Sequence, residues 1–178
     1  MLVKNLNFLF FLIFCLCLSN LTQAIEPDVF VQSTVNRASQ TLSKDISKKE
    51  KMLELQELAK DTVDIKGIGF YTLGKYRKEI TSDQKKQYSA LFESYFLKSF
   101  SSRLSEYTNP EIEVKGKKIL NKNYIIVNSI LTATSDRPEI KIDWRVYTKN
   151  PNKPLIRDLI IEGLSLARTQ KEEFASIL

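Results

Sequence analysis

Apolar residues recur at helical spacing through the first half of the chain and at alternate positions through much of the second. From Pro27 to about Lys44, the residues Phe30, Thr34, Val35, Ala38 and Leu42 share one stripe and predict a helix. Ser47-Lys48-Lys49-Glu50 has the form of a capping box, in which each end's side chain accepts the other's backbone N–H. It opens a second helix with Met52, Leu55, Leu58, Ala59 and Val63 on its apolar face. A short third helix is predicted from Asp64 to Leu73, with Gly74 where a left-handed C-terminal cap belongs. Thr81-Ser82-Asp83-Gln84 is a second capping box. Behind it Tyr88, Leu91, Phe92, Tyr95, Phe96, Phe100, Leu104 and Tyr107 keep helical spacing for about seven turns.

Asn109-Pro110 ends that helix, and the period then changes to two. Ile112 and Val114 alternate with acids, and Gly116-Lys117-Lys118 predicts a turn or bulge. The stretch from Asn123 to Thr134 is apolar on both faces over much of its length. Ile140, Ile142, Trp144 and Val146 alternate with Lys141, Asp143, Arg145 and Tyr147, the pattern of a strand with one wet face. Asn150-Pro151-Asn152-Lys153-Pro154 predicts a turn, Leu155 to Glu162 a last strand. Thr169-Gln170-Lys171-Glu172 is read as the cap of a final helix carrying Phe174 and Ile177. Helices first and strands after predict one α+β domain, with N-terminal helices packed on a curved, mainly antiparallel sheet. The aromatic-rich long helix reads either as filled core or as one wall of a cavity for an apolar ligand. Periodicity does not separate the two, because both use the same side chains.

The first 24 residues stand apart. Lys4 precedes an unbroken apolar run of eleven residues, Phe8 to Leu18, which is short for a bilayer span and right for a secretory signal. Thr22-Gln23-Ala24 places small residues where a signal peptidase reads, so cleavage is expected after Ala24. Residues 1–24 are thus read as a signal peptide and residues 25–178 as the exported domain. Both cysteines, Cys15 and Cys17, leave with the signal, and the domain must rely on its core rather than on disulfides.

Composition then narrows the chemistry. The chain has no histidine, which removes Ser-His-Asp and Cys-His constellations, histidine metal ligands and an imidazole base. No cofactor or metal is expected. Gly67-Ile68-Gly69 is a lone GxG in a helix-like stretch, and close packing explains it better than nucleotide binding. Asp64, Asp143, Asp158 and Glu162 are the candidates for a carboxylate pair. Asp143 falls on the polar side of its strand, solvated or paired with Lys141 or Arg145. Without Lys4 there are 26 cations against 21 acids. Outside the cytoplasm such a surface meets anionic lipid headgroups or an acidic protein rather than nucleic acid, or only keeps the protein soluble.

Two motifs are more specific. Arg157-Asp158-Leu159-Ile160-Ile161-Glu162-Gly163-Leu164-Ser165-Leu166, followed by Phe174, resembles the closing signature of the MlaC family, also called the toluene-tolerance or ABC-transporter auxiliary family. Leu73-Gly74-Lys75-Tyr76-Arg77 with Thr81 and Gln84 is similar to the family's Leu-Gly-x-x-Arg and Thr-x-x-Gln. The chain departs from the family pattern at Asn150–Pro154, where a Trp is usual, at Gln170-Lys171 and at Phe100.

The resemblance implies a periplasmic phospholipid carrier and not an enzyme, folded as a nuclear-transport-factor-two-like cone with acyl chains between helices and sheet. Its implied partners are phospholipid, an outer-membrane lipoprotein complex and the MCE-domain protein of an inner-membrane ABC transporter. Burial is worth roughly 0.8 kcal/mol per CH₂, so two acyl chains of about fifteen carbons gain on the order of 20 kcal/mol gross and demand a deep apolar site. The candidates for its lining are Phe70, Leu73, Leu91, Phe92, Phe96, Phe100, Ile126, Ile130, Ile142, Trp144 and Ile160. The alternatives are a small enzyme on the same cone using a pocket carboxylate, and a cavity-free protein-interaction module.

Overall fold

The structure, a computed structural model, describes residues 24–107, 110–135 and 137–177. The signal-peptide reading, including Phe8 to Leu18, and the Asn109 stop therefore lie largely outside the described residues. Among the described residues, five helices and five strands follow in order: α1 (Pro27–Ser43), α2 (Lys48–Thr62), α3 (Ile65–Thr72), α4 (Ser82–Leu104), β1 (Ile112–Asn121), β2 (Tyr124–Leu131), β3 (Ile140–Tyr147), β4 (Leu155–Ile161), β5 (Leu164–Ser165) and α5 (Leu166–Ala175). A 3₁₀ turn, Gly74–Lys78, links α3 towards α4. Both capping boxes form, with Ser47 and Glu50 on α2 and Thr81 and Gln84 on α4. Gly74 takes φ +56°, the left-handed position expected of it.

The strands form one antiparallel sheet in the order β1-β2-β3-β4-β5. The register of β1 shifts between Val114 and Gly116, so the Gly116 segment is a bulge inside a continuous strand rather than a turn. A second shift, between Arg145 and Val146, leaves Arg157 of β4 as the extra residue. Bulges of this kind bend and twist a sheet. Together the elements make the α+β architecture that the pattern predicts.

Three elements end differently from their sequence reading. The long helix stops at Leu104, so Tyr107 lies beyond it. A two-residue strand, β5, follows the turn at Glu162 and Gly163, both of which have positive φ. The final helix begins at Leu166, capped by Ser165 rather than by Thr169. The reason is long-range: the Ser165 hydroxyl donates to the Asp158 carboxylate at 2.6 Å while it accepts from Arg168 N–H, and Ala167 N–H donates to the same carboxylate at 3.0 Å. Asp158 is 3% exposed, and it fastens α5 to β4.

The core has two main parts. On one face of the sheet Val127, Ile142, Trp144, Val146 and Ile156 pack against Val31 and Val35 of α1. Trp144 Nε1–H donates to Ser129 Oγ at 2.8 Å, which satisfies the buried indole donor. The other part lies among the helices: Ala59, Ile65, Ile68, Phe92, Leu97 and Ala167, flanked by half-buried Tyr88, Phe96, Phe100 and Phe174. No helix among the described residues is long and apolar enough to cross a membrane.

Candidate functional site

The sequence spaces Tyr88, Phe92, Phe96 and Phe100 four residues apart, which puts them above one another along α4. Their rings form a ladder with centroid separations of 5.9, 6.3 and 5.6 Å, each step stacked. Phe174 of α5 meets Phe92 edge-on at 6.1 Å. From the other side α3 approaches closely, because Gly69 has no side chain: a Cβ there would stand 2.8 Å from the Phe92 ring. Gly67 is constrained in the same way, since a Cβ would collide with the carboxylate of Asp64, which caps α3 by accepting from Gly67 N–H at 2.9 Å. The GxG is thus a packing device. A polar group in this apolar surface is the Tyr88 hydroxyl, hydrogen-bonded to Thr72 Oγ1 at 2.7 Å. Burial pushes the Tyr88 pKa up, and the hydrogen bond only partly offsets this.

A cavity of about 420 Å³ is lined by Phe70 of α3, Arg77 and Lys78 of the 3₁₀ turn, and Lys85 of α4. Another, about 280 Å³, lies between α1 and β1 and is lined by Val35, Asn36, Ser39, Pro110, Glu111, Ile112, Glu113 and Thr132.

The eleven candidate lining residues divide into several groups. Phe92, Phe96 and Phe100 belong to the aromatic ladder. Phe70 lines the larger cavity, and Leu73 is buried at the end of α3. Ile142 and Trp144 face α1 in the sheet-side core. Ile126, Ile130 and Ile160 pair across the sheet with Arg145, Lys141 and Asp143, so they stand on the opposite face from Ile142 and Trp144. Leu91 is 71% exposed, on the outer side of α4. The main packing partners of α4 are α2 and α3 rather than the sheet, so these residues do not converge on one cavity.

The four acids all serve in the framework. Asp64 caps α3 and holds Arg157, whose Nε lies 2.6 Å from its carboxylate. Asp158 fastens α5. Glu162 accepts from Lys141 N–H at 2.5 Å. Asp143 accepts from the Asn128 amide at 2.8 Å, its cross-strand neighbour, instead of pairing with Lys141 or Arg145. As lining of the larger cavity, Lys78 and Lys85 were not singled out in the sequence, and Arg77 was named only within the Leu-Gly-x-x-Arg motif. Their signal was a cluster of cations flanking the Leu-Gly-x-x-Arg motif.

The family model for the MlaC protein matches residues 31–178. The chain belongs to the MlaC family. Among solved structures, it is similar to a phospholipid-binding protein from Ralstonia solanacearum, determined in complex with a phospholipid. The two share 20% sequence identity and a TM-score of 0.72, over 86% of this chain and 87% of that one. At this identity the likeness establishes the fold of the MlaC-type domain: helices on an open antiparallel sheet.

Proposed function

We propose that this protein is a periplasmic phospholipid carrier, exported by residues 1–24 and cleaved after Ala24. It shuttles lipid between an outer-membrane lipoprotein complex and the MCE-domain protein of an inner-membrane ABC transporter. The observation that carries this reading is the family match across residues 31–178. The fold shared with a phospholipid-bound relative supports it, as does the half-buried aromatic ladder of α4. In this reading the acyl chains lie along that ladder and the headgroup faces water.

The size of the cargo sets a requirement. A CH₂ group takes roughly the space of a water molecule, about 30 Å³, so about thirty acyl carbons need on the order of 900 Å³. The cavity beside Phe70 offers about 420 Å³. Loading therefore parts the α3–α4 pair from its neighbours and exposes the ladder to the chains. Side chains already half-exposed lose little on opening, since much of their surface never left water.

Native purification of the domain from the periplasm, followed by lipid extraction and mass spectrometry, is the test. About one diacyl phospholipid per chain is expected. Phe96→Asp should abolish it, because an unpaired carboxylate is expensive among acyl chains. A wild-type protein that carries no lipid and takes none from vesicles overturns the reading.

A further inference from the structure

The larger cavity has a chemical polarity that the carrier reading does not by itself require. It is lined by the half-buried Phe70 and by Arg77, Lys78 and Lys85. Lys66 stands over the Phe70 ring, 5.9 Å from its centroid. Arg77, Lys78 and Lys85 make no ion pair and no side-chain hydrogen bond among the described residues. The nearby acids do not neutralise them: Glu79 and Asp83 do not line the cavity, and Asp83 lies 3.6 Å from Lys86. Other cations are paired, as with Arg37 and Asp61 or Lys44 and Glu54, whereas lysines unpaired among the described residues, such as Lys118 and Lys122, line neither cavity.

We propose that Arg77, Lys78 and Lys85 form a seat for the phosphate of a phospholipid headgroup, with Phe70 contacting the first carbons of an acyl chain. This rests on the carrier reading and adds which part of the lipid is recognised and where. Three like charges around one cavity repel each other, and an anion bound among them relieves that repulsion. The guanidinium of Arg77 suits two phosphate oxygens at once, while the lysines act as point charges. Exposure falls from Arg77 and Lys78, which are open to water, to Lys85 and Phe70, which are half-buried. That gradient fits an amphiphile. A free phosphate ion gains nothing from an aromatic ring. Phe70 also directly follows Gly69, which packs against the Phe92 ring, so the seat adjoins the aromatic ladder.

The test compares wild type with Arg77→Gln/Lys78→Gln/Lys85→Gln, and with Lys118→Gln/Lys122→Gln/Lys149→Gln, which removes the same charge from exposed positions elsewhere. Each is loaded from vesicles containing phosphatidylglycerol or, as a phosphate-free cargo with the same chains, diacylglycerol. Wild type and the control should favour the phospholipid by on the order of tenfold or more, and the seat variant should lose that preference with an unchanged melting temperature. A seat variant that keeps the full preference overturns the inference and leaves the carrier reading standing. A wild type that loads neither cargo fails the carrier reading itself. Inorganic phosphate titrated into lipid-free wild type is the last arm. Weak binding, no tighter than millimolar, is expected, and tight binding lost in the seat variant would reassign the site to a free anion.

Discussion

The two parts of the core are built from different materials. On the sheet side, Val31, Val127 and Val146 are fully enclosed, and the contacts are mostly between β-branched side chains of α1 and a strand face. Among the helices the contacts are aromatic, and of the ladder's four rings only Phe92 is fully buried. β-branched side chains interlock in few rotamers and make a dense wall. Flat rings stacked along one helix slide and part at lower cost, because their outer faces are already wet. The sheet side is thus the scaffold, and the helical side is the half with room to change.

The sharpest way to break the contrast is Trp144→Ala. It removes the largest side chain of the sheet-side core, while the Ser129 hydroxyl keeps its bond to Ile142 O, and a loss of about 3–5 kcal/mol is expected in chemical denaturation. A cost below about 1 kcal/mol would mean that this half is not the scaffold. Next comes Gly69→Val, which forces α3 away from Phe92. Overpacking should cost about 1–3 kcal/mol and lower the melting temperature, while the sheet's signature in circular dichroism persists.

Tyr88→Phe removes one hydrogen bond to Thr72, whose hydroxyl keeps its bond to Gly69 O, and about 1 kcal/mol is expected. It also tests the direction of the Tyr88 pKa. A phenol raised in the folded state stabilises below its unfolded value, about 10, and that contribution is lost as pH rises through the folded value. Wild type should therefore lose more melting temperature than the Phe variant on the alkaline side, and parallel curves would remove the assignment. The smallest effect belongs to Leu91→Ser. An exposed leucine on α4 should change stability by less than about 0.5 kcal/mol and leave lipid content unchanged.

Much of this fold is legible along the chain because its signals are local. Capping boxes at Ser47 and Thr81 need only residues three apart, and the strand alternation of Ile140 to Val146 needs only a polar neighbour. The site is less legible. Alternation separates Ile126 and Ile130 from Val127, but it does not say which face meets α1; that depends on the whole register. Leu91 keeps the spacing of the apolar stripe yet is exposed, because the buried line of α4 runs through Phe92, Leu97 and Ser101. Ser165 is hard to recognise as a cap because its partner, Asp158, is on the preceding strand. The cations at 77, 78 and 85 converge only once the turn after Gly74 has reversed the chain.

The bulge at Arg145 and Val146 has a mechanical consequence. It frees Arg157 to lie 3.6 Å over the Tyr147 ring, bond Tyr124 and grip Asp64, while Asp64 N–H bonds Ile156 O at 2.9 Å. The first residue before α3 is thereby riveted to the sheet, whereas its last turn runs into the cationic 3₁₀ segment. An eight-residue helix is about 12 Å long, so a rotation of about 15° around the riveted end swings the far end by about 3 Å. The Thr72–Tyr88 bond and the Gly69–Phe92 contact carry α4 along with it. In the carrier reading, such a rotation would keep its fulcrum on the scaffold and widen the molecule at the end where the cations stand.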